Sequence, residues 1–361
     1  MRHKKDGPPD QLLPHELQEV SSGVAKISAG LTGERRLVGK GYMDDPALLG
    51  AYLLFYWPVS YAQARHALGH LPSKPRLVLD LGSGPAPMSF ASLDHGAGYV
   101  TAADRSERAL KLATDLAGEA GEPLSLRKWD PLKGERIPEG SFDLVIMGHL
   151  LNELWVGDAD EFDKKADLVE KVCCSLNGGG SLIVIEPALL LTSRKLLKVR
   201  DILVERGYPV MAPCLFQGGC PALKKEGNTC HTDRSWEPPR IVKDIARASG
   251  LHKDALKMSF LILAPKGAEW PKPPEGRIFR IVSEILESNK RLRLVGCGPE
   301  GRIGLSVLEK DIAGENRVFL RLQRGDVVRI AGAEERESGI GLTEDSRITI
   351  AAHAGKPLPG Y

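Results

Sequence analysis

The sequence predicts an α/β fold: a Rossmann-like sheet preceded by a helical segment over residues 1–70 and followed by a small β-rich unit over 275–361. Three observations predict it. From Pro75 to Pro265, short apolar runs alternate with helical patterns, the rhythm of βαβ units in a doubly wound parallel sheet. The first run opens into a glycine-rich turn, "VLDLGSGPAP", with a helix directly behind it. Beyond the proline-rich linker "PKGAEWPKPP" (265–274), the runs shorten to strand length and turns separate them.

The elements follow in order. "DDPALLGAYLLFYW" and "SYAQARHALGHL" carry apolar residues at three- and four-residue spacing, which predicts helices. Asp44 or Asp45 caps the first, with Pro46 early in it. In the domain over 71–265, "RLVLDLG", "YVTAAD", "LSLRKWD", "FDLVIMGH" and "SLIVIEP" are the first five strands. Between them, "PMSFASLDHG" and "SERALKLATDLAGEAG" are helices, the second capped by Ser106 and closed by glycine. "DADEFDKKADLVEKVCCSLNGGG" is a helix ending in three glycines. "TSRKLLKVRDILVERG" is the next helix, and a cysteine-bearing loop over 212–233 follows it. "PPRIVKDIARASG" and "ALKMSFLILAP" are the closing helix and strand. "RIFRIVSEIL", "KRLRLVGCG", "RIGLSVLEK", "RVFLRLQ" and "GDVVRIAG" are the strand-like runs of the C-terminal unit.

Composition sets bounds on function. The chain has 361 residues, 42% hydrophobic and 27% charged, ordinary for a globular protein with a real core. A net charge of +2 does not by itself require a nucleic-acid partner. Local basic clusters matter more: "SRKLLKVRDILVER" (193–206), Lys224, Lys225 and "NKRLR" (289–293) could meet phosphates, or form solvated faces among interspersed acids. The basic N-terminus has no apolar run behind it, so it does not read as a secretory signal. The most apolar segment, "LLGAYLLFYWPVSYA", is shorter than a bilayer span and contains proline. The expectation is a soluble cytoplasmic protein with no membrane partner, a monomer when free. In that setting six cysteines are better read as metal ligands or buried apolar residues than as disulfides.

The glycine turn reads as a nucleoside-cofactor site. Asp80 ends the first strand, and Gly82, Ser83 and Gly84 make a tight turn whose N–H groups can approach a ligand. Asp104 closes the second strand, about twenty residues on, where an acidic side chain binds ribose hydroxyls. The spacing suits a dinucleotide or S-adenosylmethionine. An acid two positions before the first glycine favours S-adenosylmethionine, because this stretch resembles motif I of class I methyltransferases. In the same resemblance Asp130, ending "KWD", meets the adenine, and His149 lies in the exit loop of the fourth strand. Ala86 stands where many members of that class have a third glycine. His149, Asn152 and Glu153 either line an acceptor pocket or start a solvent-facing helix. The Asn/Asp-Pro-Pro-Tyr and Pro-Cys signatures of amino-nitrogen and pyrimidine C5 methylases are absent after the fourth strand.

The loop "APCLFQGGCPALKKEGNTCHTD" gathers Cys214, Cys220 and Cys230 in a segment with no helical or strand period. Their gaps are wider than the knuckles of structural zinc. A cubane iron–sulfur cluster spreads its iron corners and accepts broader loops, and Cys220 is followed by proline as in ferredoxin runs. The fourth ligand is chosen among Cys173, Cys174 and Cys297. The first two sit in an amphipathic helix, whereas Cys297 lies in the glycine-flanked turn "VGCGPEG". His231 is the alternative ligand and zinc the alternative metal; three unrelated buried thiols is the bland reading. Ligation would supply the free energy that apolar burial cannot give such a loop. The close cysteine spacing of radical S-adenosylmethionine enzymes is absent.

Together these motifs resemble the methyltransferase-like family associated with the small ribosomal subunit, known from mitochondrial ribosomes and with bacterial relatives. The resemblance runs over nearly the whole chain. It is carried by "AYLLFYWPVSYAQARHAL", "VLDLGSGPAP", "APCLFQGGCP", "TCH", "CGPEG" and "RGDVVRI". It implies a [4Fe–4S] cluster on Cys214, Cys220, Cys230 and Cys297, and a role on small-subunit ribosomal RNA in assembly or translation. It leaves open whether the fold still methylates, since some members resemble assembly factors. Here "PCLF" replaces a common Pro-Cys-Pro-His, and "CHTDRSWEPPR" replaces an aromatic-rich run.

Overall fold

A computed structural model describes residues 11–33, 37, 41–270, 273, 275–337 and 339–358. The basic stretch 1–10 and part of the 265–274 linker lie outside these. An N-terminal helix α1 (Pro14–Ser28) leads into a long helix α2 (Pro46–Leu68). Asp45 caps α2 by accepting from the N–H of Ala47 and Leu48, and Pro46 takes the first turn, where its missing N–H costs nothing. The two helices expected here are one: α2 runs through Pro58 without ending, held on both sides by buried Phe55, Val59, Ala64 and Leu68.

The first sheet holds β1 (Leu77–Leu81), β2 (Tyr99–Asp104), β3 (Leu124–Lys128), β4 (Phe142–Gly148), β5 (Leu176–Pro187), β6 (Val210–Ala212), β7 (Thr232–Ser235) and β8 (Ala255–Leu263). Its order is β3-β2-β1-β4-β5-β8-β6, with β7 also on β8. The first five strands pair in parallel, while β8 runs antiparallel to β5, β6 and β7. The all-parallel expectation is therefore corrected at one edge: β8 inserts between β5 and β6 against their direction. Helices α3 (Pro87–His95), α4 (Glu107–Ala120), α5 (Glu161–Cys173), α6 (Leu190–Glu205) and α7 (Arg240–Ser249) complete this part. Apolar clusters pack on both faces of the sheet, centred on Leu79, Leu81, Val145 and Val184 on one and Val78, Leu144, Ile146 and Ile183 on the other. The three glycines at 178–180 lie inside β5 rather than at the end of α5, which stops at Cys173.

The second sheet holds β9 (Arg277–Ile281), β10 (Leu286–Ser288), β11 (Arg291–Gly298), β12 (Gly301–Leu308), β13 (Val327–Ala331), β14 (Glu334–Arg336), β15 (Gly339–Leu342) and β16 (Arg347–Ala352). Its pairs are antiparallel except β12 with β15, and it closes around Phe279, Leu294, Leu305 and Val328. "RVFLRLQ", expected as a strand, is 3₁₀ turns over Gly314–Arg321. Buried Asn316 is the reason: it accepts from the Ala313 N–H and donates to the carbonyls of Asp311 and Thr343, bonds a strand cannot offer. Among the described residues no helix is long and apolar enough to cross a membrane.

Candidate functional site

Two cavities carry the residues singled out in the sequence. The first lies where β1, β2 and β4 end. Leu81 runs into Gly82 (φ 71°) and Gly84 (φ 53°), left-handed conformations that only glycine adopts without strain. The N–H groups of Gly82 and Ser83 both reach the Ala103 carbonyl at 2.8 and 3.1 Å, tying the turn to β2. Ala86 is also left-handed (φ 62°) and fully buried, so its methyl group carries a strain a glycine would not.

Asp104 holds the turn from the other side. Its carboxylate accepts from the N–H of Gly84 and of Ser106, both at 2.8 Å. Burial raises its pKa while these N–H groups lower it. Gly82, Gly84, Asp104, Asp130 and His149 all line this cavity of about 80 Å³. Asp80 and Ser83 do not. The Asp80 carboxylate turns inward to accept from Ser89 Oγ at 2.7 Å, and burial pushes its pKa up to about 7. The Ser83 hydroxyl is buried against the Gly84 carbonyl. These two shape the turn from behind.

The sequence reading missed Tyr42, Met43 and Tyr52, which line the same cavity, as does Trp129 of the "KWD" segment. Tyr42 and Met43 belong to a 3₁₀ turn (Tyr42–Asp44) just ahead of α2, and Tyr52 belongs to α2 itself. Tyr42 Oη donates to Glu153 at 3.4 Å, and Ser106 Oγ donates to Asp44 at 2.6 Å. As it stands the cavity is smaller than the several hundred Å³ typical of a site for a nucleoside-sized ligand. Asn152 is buried, which corrects the solvent-facing reading of 149–153. Its side chain donates to the His149 carbonyl and its N–H to Glu186.

The second cavity, of about 40 Å³, is lined by Cys214, Cys220, Cys230 and Cys297 together. The first three come from the loop behind β6, and Cys297 comes from β11 of the other sheet. Cys173 and Cys174 stay in and behind α5. His231 lies in a neighbouring cavity with His66, His70 and Cys230, and its Nδ1 meets Thr229 Oγ1. Burial pushes the Cys220 thiol up to about 12 and raises Cys230 and Cys297 as well. Among the described residues, no group of three or more His, Cys, Asp or Glu side chains is arranged to hold a metal ion.

The loop holds its shape through arginines. Arg200, fully buried, donates to the Gly218 and Phe216 carbonyls and to Asp201, whose carboxylate accepts the Cys220 N–H at 2.9 Å. Arg280 donates to Pro213 O at 2.5 Å and Arg302 to Thr229 O at 3.0 Å, both from the second sheet. Arg194 collects the carbonyls of Ala222, Leu223, Lys225 and Asn228. Ser193 and Ser259 hold the Cys230 backbone. This corrects the basic-helix expectation. Within 193–206, Arg194 and Arg200 serve the loop, Lys195 meets Glu161, Lys198 lies over Phe162, and Arg206 meets Asp163, Asp167 and Glu170. Lys224, Lys225, Lys290 and Arg293 are exposed.

The model of the family described as mitochondrial small ribosomal subunit Rsm22 matches residues 49–329, a span containing all four cysteines and most of the first cavity. No curated protein matches the chain. Similar solved structures include a ribosomal protein L11 methylase from Lactobacillus delbrueckii subsp. bulgaricus (18% identity, 57% of this chain and 79% of that one, TM-score 0.36). A methyltransferase from Pyrococcus furiosus is also similar (16%, 57% and 81%, TM-score 0.37). So is the mitomycin 7-O-methyltransferase MmcR (14%, 71% and 70%, TM-score 0.39).

Proposed function

The chain belongs to the Rsm22 family of the mitochondrial small ribosomal subunit, and from that premise we propose that it is a methyltransferase-fold, iron–sulfur-containing factor acting on small-subunit ribosomal RNA in assembly or translation. The observation that carries the metal part is that three cysteines from one loop and a fourth from the second sheet line one cavity. The chemistry of the donors fits a thiolate-held cluster. A single tetrahedral ion draws sulfurs to about 2.3 Å from one point. A four-iron cube has width of its own, and its ligands stand farther apart. In this reading Cys214, Cys220, Cys230 and Cys297 hold a [4Fe–4S] cluster. Zinc is the alternative, and metal removal loosens the loop.

The first cavity is read as an S-adenosylmethionine site, with Gly82 and Gly84 approaching the ligand and Asp104 on the ribose. The alternative function, an active methyltransferase on RNA or a small molecule, is favoured by Gly82 and Gly84 still lining that cavity. Methyl transfer needs mainly in-line positioning, so a pocket of this kind suffices without a visible base. The exposed Lys224, Lys225, Lys290 and Arg293 are the phosphate-facing candidates. The same reading takes the free protein as a monomer in a bacterial cytoplasm.

Anaerobically purified protein tests the centre: iron with acid-labile sulfide supports the cluster, and zinc or no metal rejects it. Filter binding of small-subunit RNA across a salt series tests the partner. Affinity equal to that of an unrelated RNA, or independent of salt, rejects it. Labelled S-adenosylmethionine supplied with subunits from a deletion strain separates the two functions. Incorporated label selects the enzyme, and its absence with cofactor bound selects the assembly factor. Light scattering of the free protein tests the monomer.

A further inference from the structure

The first cavity contains a histidine whose tautomer can be read from its neighbours. His149 ends β4 in the left-handed region (φ 57°), a conformation a non-glycine residue keeps only when its surroundings impose it. Its N–H donates to the Ile185 carbonyl at 2.7 Å, and its own carbonyl accepts from Asn152. Ring Nε2 lies 2.9 Å from Gln63 Oε1. The Gln63 amide cannot turn over, because its Nε2 donates to the Lys257 carbonyl at 3.1 Å. Gln63 Oε1 is therefore an acceptor, and His149 Nε2 carries the hydrogen.

Burial lowers the His149 pKa to about 4, so near neutral pH the ring is uncharged and Nδ1 is a bare lone pair. That nitrogen is buried and has no hydrogen-bond partner. A buried acceptor left without a donor costs about 1–3 kcal/mol. The residue lines the cavity, at the end opposite Trp129, Asp130 and Pro131 along the strand order. The cavity wall as a whole favours cations. Among the described residues it holds Asp104, Asp130 and Glu153 against one base, Arg105.

We propose that His149 Nδ1 accepts a hydrogen bond from the ammonium group on the amino-acid arm of a nucleoside sulfonium or thioether ligand, with Gln63 as the positioning residue that fixes the tautomer. This rests on the nucleoside reading of the cavity. Asp104 then holds the ribose and His149 the far arm, so the two ends of the ligand are read by different side chains. No proton leaves the ligand, and the bond is a binding contact.

Calorimetry with two thioethers tests it. S-adenosylhomocysteine carries the amino-acid arm, and 5′-methylthioadenosine lacks it. His149→Phe is expected to weaken S-adenosylhomocysteine about tenfold and leave methylthioadenosine unchanged. Equal weakening of both, or of neither, overturns the assignment while the nucleoside reading stands. Failure of the parent protein to bind either thioether overturns both. Gln63→Met keeps the histidine and removes its anchor. Its ¹⁵N spectrum is expected to show a mixture of Nε2–H and Nδ1–H forms in place of a single tautomer, with the preference for S-adenosylhomocysteine reduced. A parent spectrum already showing Nδ1–H, or Nδ1 unmoved when S-adenosylhomocysteine binds, rejects the proposal.

Discussion

The cavity at the ends of β1, β2 and β4 is walled by turns of one sheet, whereas the cysteine cavity is walled by a loop that neither sheet contains. The first needs no guest to exist: left-handed glycines, the Ala103 carbonyl and the Asp104 carboxylate already fix it. The second is held by guanidinium groups reaching over carbonyls, and its fourth cysteine arrives from the other sheet. Three arginines, 200, 280 and 302, line it, with no acid among the lining residues described. The lesson is that a ligand site can be built into a fold, or a loop can be shaped around a site.

The comparison breaks most visibly at the cysteines. Replacing Cys214, Cys220 or Cys230 with serine is expected to abolish bound iron and sulfide, measured per chain, while nucleoside binding persists. Cys297→Ser is expected to do the same and also to increase protease cleavage within 265–275. An unchanged cleavage rate there would mean the two sheets do not depend on the centre. On the other side, Asp104→Asn should weaken nucleoside binding roughly ten- to a hundredfold, the cost of about 1–3 kcal/mol for an unsatisfied partner, and leave metal content intact. Loss of metal in that variant would merge the two regions.

Smaller effects sharpen the picture. Glu186 ends β5 buried, one oxygen bonded to the Asn152 N–H and the other without a partner, and burial pushes its pKa up to about 8. The unfolded chain releases this proton near the ordinary carboxyl range, so the native state binds more protons and loses stability as pH rises toward 8. Glu186→Gln is expected to raise Tm by about 3 °C at pH 8, with the gain shrinking toward pH 4. A constant difference across that range would exclude the ionisation. The smallest expected effect is Ala86→Gly, a gain of about 1 kcal/mol in denaturant unfolding from relief of the left-handed alanine.

Much of this was legible in sequence, for reasons that differ by element. β1 and β4 were readable because a parallel strand buried on both faces is a continuous apolar run, and the edge strand β3 was readable from its place in the alternation. The antiparallel direction of β8 was not, since "ALKMSFLILAP" reads alike in either direction. Arg194 and Arg200 looked like a nucleic-acid face because a one-dimensional pattern cannot show that a loop some twenty residues on folds back over them. Tyr42, outside the expected helices, and Tyr52, inside one, left no sign of the first cavity, since their place there depends on how the 42–44 turn and α2 pack over the strand ends. The meeting of Cys297 with the loop was readable only from its glycine-flanked turn, which resembles the other cysteine turns.

The strand that supplies Cys297 also brings a consequence for synthesis. A nascent chain that stops short of β11 has the loop, Arg194 and Arg200, but neither the closing thiol nor the clamp from Arg302. The cysteine chamber is thus finished only by the distal third of the polypeptide. Its completion marks a molecule whose two halves have both been made and have found each other.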